Sequence, residues 1–334
     1  MNMSKPSLKM IDATKKPKAS RNSFGEVLAE LGEKNSKIVV LDADLSKSTQ
    51  TQHFAKKFPD RFFNMGIAEA NMIGTAAGLS LSDKIPYAAS FACFLTGRYD
   101  QIRMSVSASA ANVRLVGTHA GVSIGEDGHS QMGLEDLGLM RALPNMTVLQ
   151  PADDWETRQM VEWTVEYKGP VYFRLTRQNL PNLSRPENTR FVPGKWMVLN
   201  PEDLDQAQVL LFFTGGVGEE TIKACDLLLE KGVKAVVINA SWIKPFDESL
   251  LQTLFSVSKN RLAVSVEDHY TVGGLGSLLA ENIATMGAAV KLLRIGVEDF
   301  GQSGSPEANM DHYGLTASKI ASRVLRTLGN SKNA

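Results

Sequence analysis

Short runs of aliphatic and β-branched residues alternate along this chain with longer stretches whose apolar positions recur every three or four residues. The runs at 37–41, 87–91, 112–117, 146–150 and 171–175 predict strands buried on both faces. Helices are predicted between them at 66–81, 95–110, 134–143 and 153–167. An earlier helix is marked by Ser23-Phe24-Gly25-Glu26, which has capping-box spacing, with Phe24, Val27, Leu28 and Leu31 on one face. Residues 178–195 concentrate Asn, Pro and Arg without a period and read as a linker. The alternation then resumes, with strands at 209–213, 234–239, 262–267 and 290–295 and helices at 219–231, 248–255, 277–285 and 316–328.

Repeated βα units imply an α/β chain of two domains, with mostly parallel sheets covered by helices. The expected division is a flexible Lys/Ser/Pro-rich tail over 1–19, a first domain over 20–180, a linker over 181–200 and a second domain over 201–334. In such folds, sites lie beyond the carboxyl ends of the strands.

Composition narrows the function classes. Of 334 residues 43% are apolar, and 36 Lys and Arg balance 36 Asp and Glu. Zero net charge argues against nucleic acid as a general partner. No apolar run reaches membrane-span length, and the amino-terminal stretch lacks the apolar core of a secretory signal. Two cysteines, Cys93 and Cys225, form no paired motif, which points to a reduced, cytoplasmic setting and no metal site.

Several segments carry candidate chemistry. Glu69 lies in Met65-Gly66-Ile67-Ala68-Glu69-Ala70-Asn71-Met72, where small and apolar neighbours leave little room for a solvated face. A buried carboxylate must find a partner or take up a proton. The small residues of 66–81 suit close packing against another element. Phe91 and Phe94 read as core or as a platform for a flat heterocycle. The polar loop 118–131 follows a strand and holds two of the five histidines. Arg177 follows another strand; with Arg21 and His119 it could form a cationic clamp for a phosphate. The loops at Gly215-Gly216-Val217-Gly218 and Gly273-Gly274-Leu275-Gly276 read as tight βα turns, with phosphate binding the alternative.

Taken together, Met65–Met72, the Gly125-Glu126-Asp127-Gly128 and Leu134-Glu135-Asp136-Leu137 elements, and the run from Ala142 to Asp153 resemble the transketolase family in order and spacing. The likeness extends from about Arg21 to the last helix and covers the family's pyrimidine-binding and carboxyl-terminal domains. It implies ketol transfer between sugar phosphates with thiamine diphosphate. Glu69 falls on the glutamate that shares a proton with the cofactor's aminopyrimidine. Asp44, Phe91 and Phe94 fall on cofactor-side positions. Arg21, Ser48, His119, Asp127 and Arg177 fall on positions that handle the sugar-phosphate chain, with His119 and Gln131 also counted as catalytic. Gln131 stands where many members have histidine, so proton handling there is open between Gln131 and His129. Gly97 replaces a third cofactor-side aromatic. The family's magnesium motif, Gly-Asp-Gly with a following Asn, has no counterpart. The resemblance therefore implies a diphosphate-binding partner subunit that holds Mg2+, in a heterotetramer built on a homodimer. The beta subunit of a 2-oxo-acid dehydrogenase, and a split transketolase for a sulfonated or branched ketose, are the alternatives.

Overall fold

The structure, a computed structural model, describes residues 7–256 and 261–330. The first domain supplies β1 (Ile38–Asp42), β2 (Phe62–Asn64), β3 (Ile85–Phe91), β4 (Arg114–Thr118), β5 (Thr147–Leu149) and β6 (Val171–Arg174). All but β2 are wholly buried, which is why they read as unbroken apolar runs. The second supplies β7 (Met197–Val198), β8 (Val209–Phe213), β9 (Ala235–Asn239), β10 (Trp242–Lys244), β11 (Leu262–Tyr270) and β12 (Lys291–Val297).

One sheet runs β10-β5-β6-β4-β3-β1-β2, and the other runs β12-β11-β8-β9-β7. Each is parallel except for one antiparallel edge strand, β10 or β7. The unexpected feature is β10. It belongs to the second domain by sequence but completes the first domain's sheet, with Trp242 opposite Leu149. Trp242 packs edge-on against Trp163 with ring centres 5.0 Å apart, and its carbonyl accepts 2.7 Å from Trp196 Nε1. A single core cluster consequently runs from Phe24 to Val290 across both domains.

Helices α1 (Ser20–Lys34), α2 (Glu69–Leu81), α3 (Asp136–Ala142) and α4 (Asp154–Glu166) accompany the first sheet. The second domain adds α5 (Gly218–Glu230), α6 (Glu248–Ser256), α7 (Leu275–Met286), α8 (Pro306–His312) and α9 (Ala317–Asn330).

Three expectations need correction. The capping box does not form: α1 begins at Ser20 behind Ala19, and Glu26 bonds Lys18 Nζ at 2.5 Å instead of a backbone amide. The helix expected over 95–110 breaks into Ala92–Thr96, Tyr99–Gln101 and a wider π turn over Ile102–Ser107. Serine hydroxyls compete for backbone carbonyls there, as when Ser109 Oγ donates to Ser105 O at 2.7 Å. The tail is folded from Ser7 onward. Met10 is buried in the second domain's core, and Lys18–Ala19 pairs antiparallel with Asn179–Leu180. Residues 1–6 of the expected tail lie outside the described residues.

Candidate functional site

The carboxyl ends of β1, β3, β4 and β6 converge and carry most of the candidate residues. Glu69 opens α2 and is 5% exposed, and its Oε1 accepts 3.1 Å from Ser90 Oγ at the end of β3. Ser90 also receives Thr118 Oγ1 on its carbonyl at 3.3 Å. Thr118 in turn lies 2.9 Å from His119 Nδ1, and Arg21 Nη1 lies 3.1 Å from His119 Nε2. Arginine can only donate, so Nε2 accepts and the imidazole proton sits on Nδ1. One polar chain thus runs Arg21–His119–Thr118–Ser90–Glu69.

His119 is held neutral. Burial, reinforced by the charges of Arg21 and Arg177, lowers its pKa to about 3. Both nitrogens are already engaged, so general acid–base work at His119 would first require Arg21 to move. Burial, and then Arg177, likewise lowers the Arg21 pKa from its ordinary value. His119 and Asp44 both adopt left-handed backbone angles, φ +56° and +64°. Such angles in non-glycine residues store strain and tend to cluster at functional sites.

Arg21 Nη1 also donates 2.8 Å to Ser48, through its backbone carbonyl. The turn on either side of Ser48 is tied to fully buried Asp42. Asp42 accepts from Leu45 N at 2.6 Å, Thr49 Oγ1 at 2.6 Å and Thr51 Oγ1 at 2.9 Å, and burial raises its pKa. Asp44 is exposed and accepts from Asn64 Nδ2 at 3.0 Å.

The aromatic pair takes on an unexpected arrangement. Phe91 is sandwiched: its ring stacks on His119 at 3.8 Å and on Phe94 at 5.4 Å. The aromatic face left for a flat heterocycle is therefore the outer side of half-buried Phe94, with Phe91 as its backing.

Arg177 and Asp127 form a second, more open group. Arg177 is 43% exposed; its Nη1 donates 2.7 Å to Ile124 O and lies 3.7 Å from the Asp127 carboxylate. Gln131 is half-buried, its backbone amide closes a turn on Gly128 O at 3.1 Å, and His129 is exposed beside it. The geometry leaves the choice between these two open.

Both glycine loops are filled by protein. A Cβ on Gly215 would lie 2.1 Å from Gln150 Nε2, so that loop is packed into the domain seam. At α7, the position a phosphate would occupy is held by Glu267, which accepts from Leu275 N at 2.6 Å and Gly276 N at 2.8 Å. Burial raises the Glu267 pKa to about 7. Among the described residues, no cluster of three or more His, Cys, Asp or Glu side chains could hold a metal. No described helix is long and apolar enough to cross a membrane.

Sequence reasoning missed a buried hub beneath this surface. Arg174 donates from Nε to both Asp136 oxygens at 3.0 Å, from Nη1 to Asp268 Oδ1 at 2.7 Å, and from Nη2 to Gly133 O and Asp268 O at 2.9 Å. Tyr172 adds a 2.7 Å bond to Asp136. Burial alone would lower the Arg174 pKa, but the two carboxylates outweigh it and hold it above its ordinary value. An arginine inside a strand run was the available signal, since such a charge must be paired.

The transketolase pyrimidine-binding domain profile matches residues 16–182, and the transketolase carboxyl-terminal domain profile matches 199–320. The chain belongs to the transketolase family. It is 44% identical to a Methanocaldococcus jannaschii protein named for the C-terminal section of a transketolase, over 93% of this chain and 96% of that one. A Clostridium protein named as a 6-deoxy-6-sulfo-D-fructose transketolase subunit is 36% identical over 94% of this chain and 95% of that one. A solved structure described as a split-gene transketolase, an inactive β4 tetramer, superposes with a TM-score of 0.83 at 41% identity, covering 93% of this chain and 98% of that one. Against human transketolase, 34% identical, this transketolase-family chain covers only 48% of the length.

Proposed function

We propose that this chain is the pyrimidine-side subunit of a split transketolase. It would transfer a two-carbon ketol unit from a ketose phosphate to an aldose phosphate, using thiamine diphosphate and a separate diphosphate-binding subunit. The observation that carries the reading is Glu69. Its Oε1 is held by Ser90, while Oε2 receives no hydrogen bond from any described residue. A buried carboxylate with one oxygen fixed by Ser90, the residue before Phe91, and the other available fits an aminopyrimidine ring.

The thiamine group supplies the carbanion-stabilising chemistry when bound. The chain's own residues then have defined tasks. Glu69 shares a proton with the ring nitrogen it meets, and Phe94, backed by Phe91, holds the ring's plane. Asp44 and Asn64 form the rim. Arg21 and Arg177 face the anionic end of the sugar chain, with Asp127 orienting Arg177 and neutral His119 orienting Arg21. Gln131 or His129 meets the reacting carbonyl region.

The partner requirement has two supports. Relatives named as a transketolase C-terminal section and as a transketolase subunit match over nearly their whole length, and Mg2+ is assigned to the other subunit on that likeness. In addition, the rim beside Glu69 is uncovered. Ile67 is 86% exposed, and a Cβ added at Gly66 or Gly78 would meet nothing within 4 Å. Ala76 and Ala77 of α2 pack into the core, while Ala70 and Gly78 are exposed and suit another chain packing against them. A heterotetramer built on a homodimer satisfies this symmetrically.

The test mixes this chain with its diphosphate-binding subunit, thiamine diphosphate, Mg2+, xylulose 5-phosphate and ribose 5-phosphate. Sedoheptulose 7-phosphate is expected from the mixture and from neither subunit alone. No product from a complex that binds cofactor sinks the sugar-phosphate reading. Likeness to the sulfofructose enzyme subunit favours one second reading, in which the arginines receive a sulfonate. Replacing the donor by 6-deoxy-6-sulfo-D-fructose in the same assay tests it.

A further inference from the structure

The loop that carries Asp127 has little structure of its own. Its internal backbone bonds close four-residue turns, at 3.4 Å from Gly125 N to Val122 O, 3.4 Å from Gly128 N to Gly125 O and 3.1 Å from Gln131 N to Gly128 O. It is nonetheless fixed, and what fixes it comes from the second domain. Val122, Ile124, Met132 and Leu134 are buried in the second domain's core with Leu211, Val264 and Met310. Asn309, fully buried on α8, donates from Nδ2 to Val122 O at 3.3 Å and to Gln302 O at 3.2 Å. Exposed Ser303 donates from Oγ to Glu126 O at 2.6 Å. Gly125 lies so close to α8 that a Cβ would sit 3.2 Å from Pro306.

These contacts reach the site in one step. The turn that Asn309 holds at Val122 presents Ile124 O, the acceptor of Arg177 Nη1. Ser303 holds the residue preceding Asp127, whose carboxylate faces the same guanidinium. We infer that Asn309 and Ser303 are positioning residues of the second domain, which set Arg177 and Asp127 for the anionic end of the substrate. This rests on the role given above to Arg177. It assigns the second domain a task in substrate recognition, although the residues proposed above for the cofactor lie in the first.

The test uses Ser303→Ala and Asn309→Ala in the complex with the diphosphate-binding subunit, with kinetics for a phosphorylated and an unphosphorylated ketose donor. One lost hydrogen bond on the loop corresponds to roughly a fivefold effect. The expected result is KM for the phosphorylated donor raised about fivefold, with kcat within about twofold and the unphosphorylated donor's KM unchanged. A purely structural defect would instead lower activity equally on both donors. Hydrogen exchange over 122–131, measured on the full chain, should be faster in each variant, with β8 and β11 unchanged. This arm stands even if the wild-type mixture shows no ketol transfer, and it can be read on Ser303→Ala if Asn309→Ala does not fold. Unchanged exchange over the loop, or equal KM ratios for the two donors in an active complex, overturns the inference.

Discussion

Replacing Arg174 by Met keeps the unbranched apolar stem and removes the guanidinium from the hub. Its donors to Asp136, Asp268 and Gly133 O are lost together, and two fully buried carboxylates lose their counter-ion. Removing one partner of a buried ion pair typically costs about 3–5 kcal/mol, because the remaining charge is uncompensated. Tyr172 still donates to Asp136, and Gly133 O keeps Gly121 N at 3.0 Å, which argues against a larger value. With a urea slope of about 2–3 kcal/mol/M, the midpoint should fall by on the order of 1–2 M. The loss must also depend on pH. Burial already holds the Asp268 carboxyl above its ordinary value and Arg174 pulls it back, so removing Arg174 raises it further. The folded variant then binds more protons than the unfolded one, so its stability falls as pH rises. His269, lowered to about 4 by burial with Arg174 contributing, shifts in the same direction when Arg174 is removed. The difference between wild type and variant, followed by tryptophan fluorescence in urea, should therefore be smaller at pH 5.5 than at pH 8. A cost below about 1 kcal/mol, or one equal at both pH values, would refute the assignment of this hub as a buried ion pair.

Other consequences are simpler to state. Glu69→Gln keeps an acceptor for Ser90, so urea stability should change by under about 1 kcal/mol while ketol transfer in the assembled enzyme falls about 10²–10⁴-fold. His119, with its pKa lowered to about 3, should show no ring titration by NMR between pH 5.5 and 8.5. Its folded pKa lies below the unfolded value of about 6.5, so its stabilising effect is full above that pH and is lost as pH falls; wild type should lose more stability than His119→Asn between pH 7 and 5. Trp242→Ala opens a cavity at the domain seam and should cost about 3–5 kcal/mol, with faster proteolysis of the 186–194 segment as the independent readout.

What the sequence disclosed follows from what local pattern can encode. Strands such as Ile38–Asp42 and Val209–Phe213 are buried along their whole length, so their apolar runs survive without context. The strand Trp242–Lys244 is three residues long and half-polar at its end, so only the neighbouring sheet defines it. Glu69 stood out because a carboxylate among small and apolar residues is anomalous wherever it occurs. Ser90 and Thr118 did not, because one hydroxyl at a strand end looks like any other until its partner is in view. Arg21 was legible as a charge, but its orientation was not, since it depends on Ser48 O and His119 Nε2 from two other segments of the chain. The Asn309 and Ser303 contacts join positions 187 and 177 residues apart, a separation no motif spans.

This distribution of contacts changes how the two domains relate to the site. Every residue proposed for chemistry or substrate lies before position 180, yet the loop bearing Asp127 buries its apolar side chains in the second domain's core. In exchange, β10 of the second domain closes an edge of the first domain's sheet. Arg174 and Asp268 join the domains between these two exchanges, with Asp268 directly under Gly121, where a Cβ would lie 2.0 Å from Asp268 Oδ2. Gly121 has φ +90°, and two residues earlier His119 holds the strained angle that aims its ring at Arg21. A strained turn persists only when its surroundings over-determine it, and here those surroundings belong to both domains. The second domain is therefore better understood as the floor of the loop proposed to meet substrate than as an appendage to it.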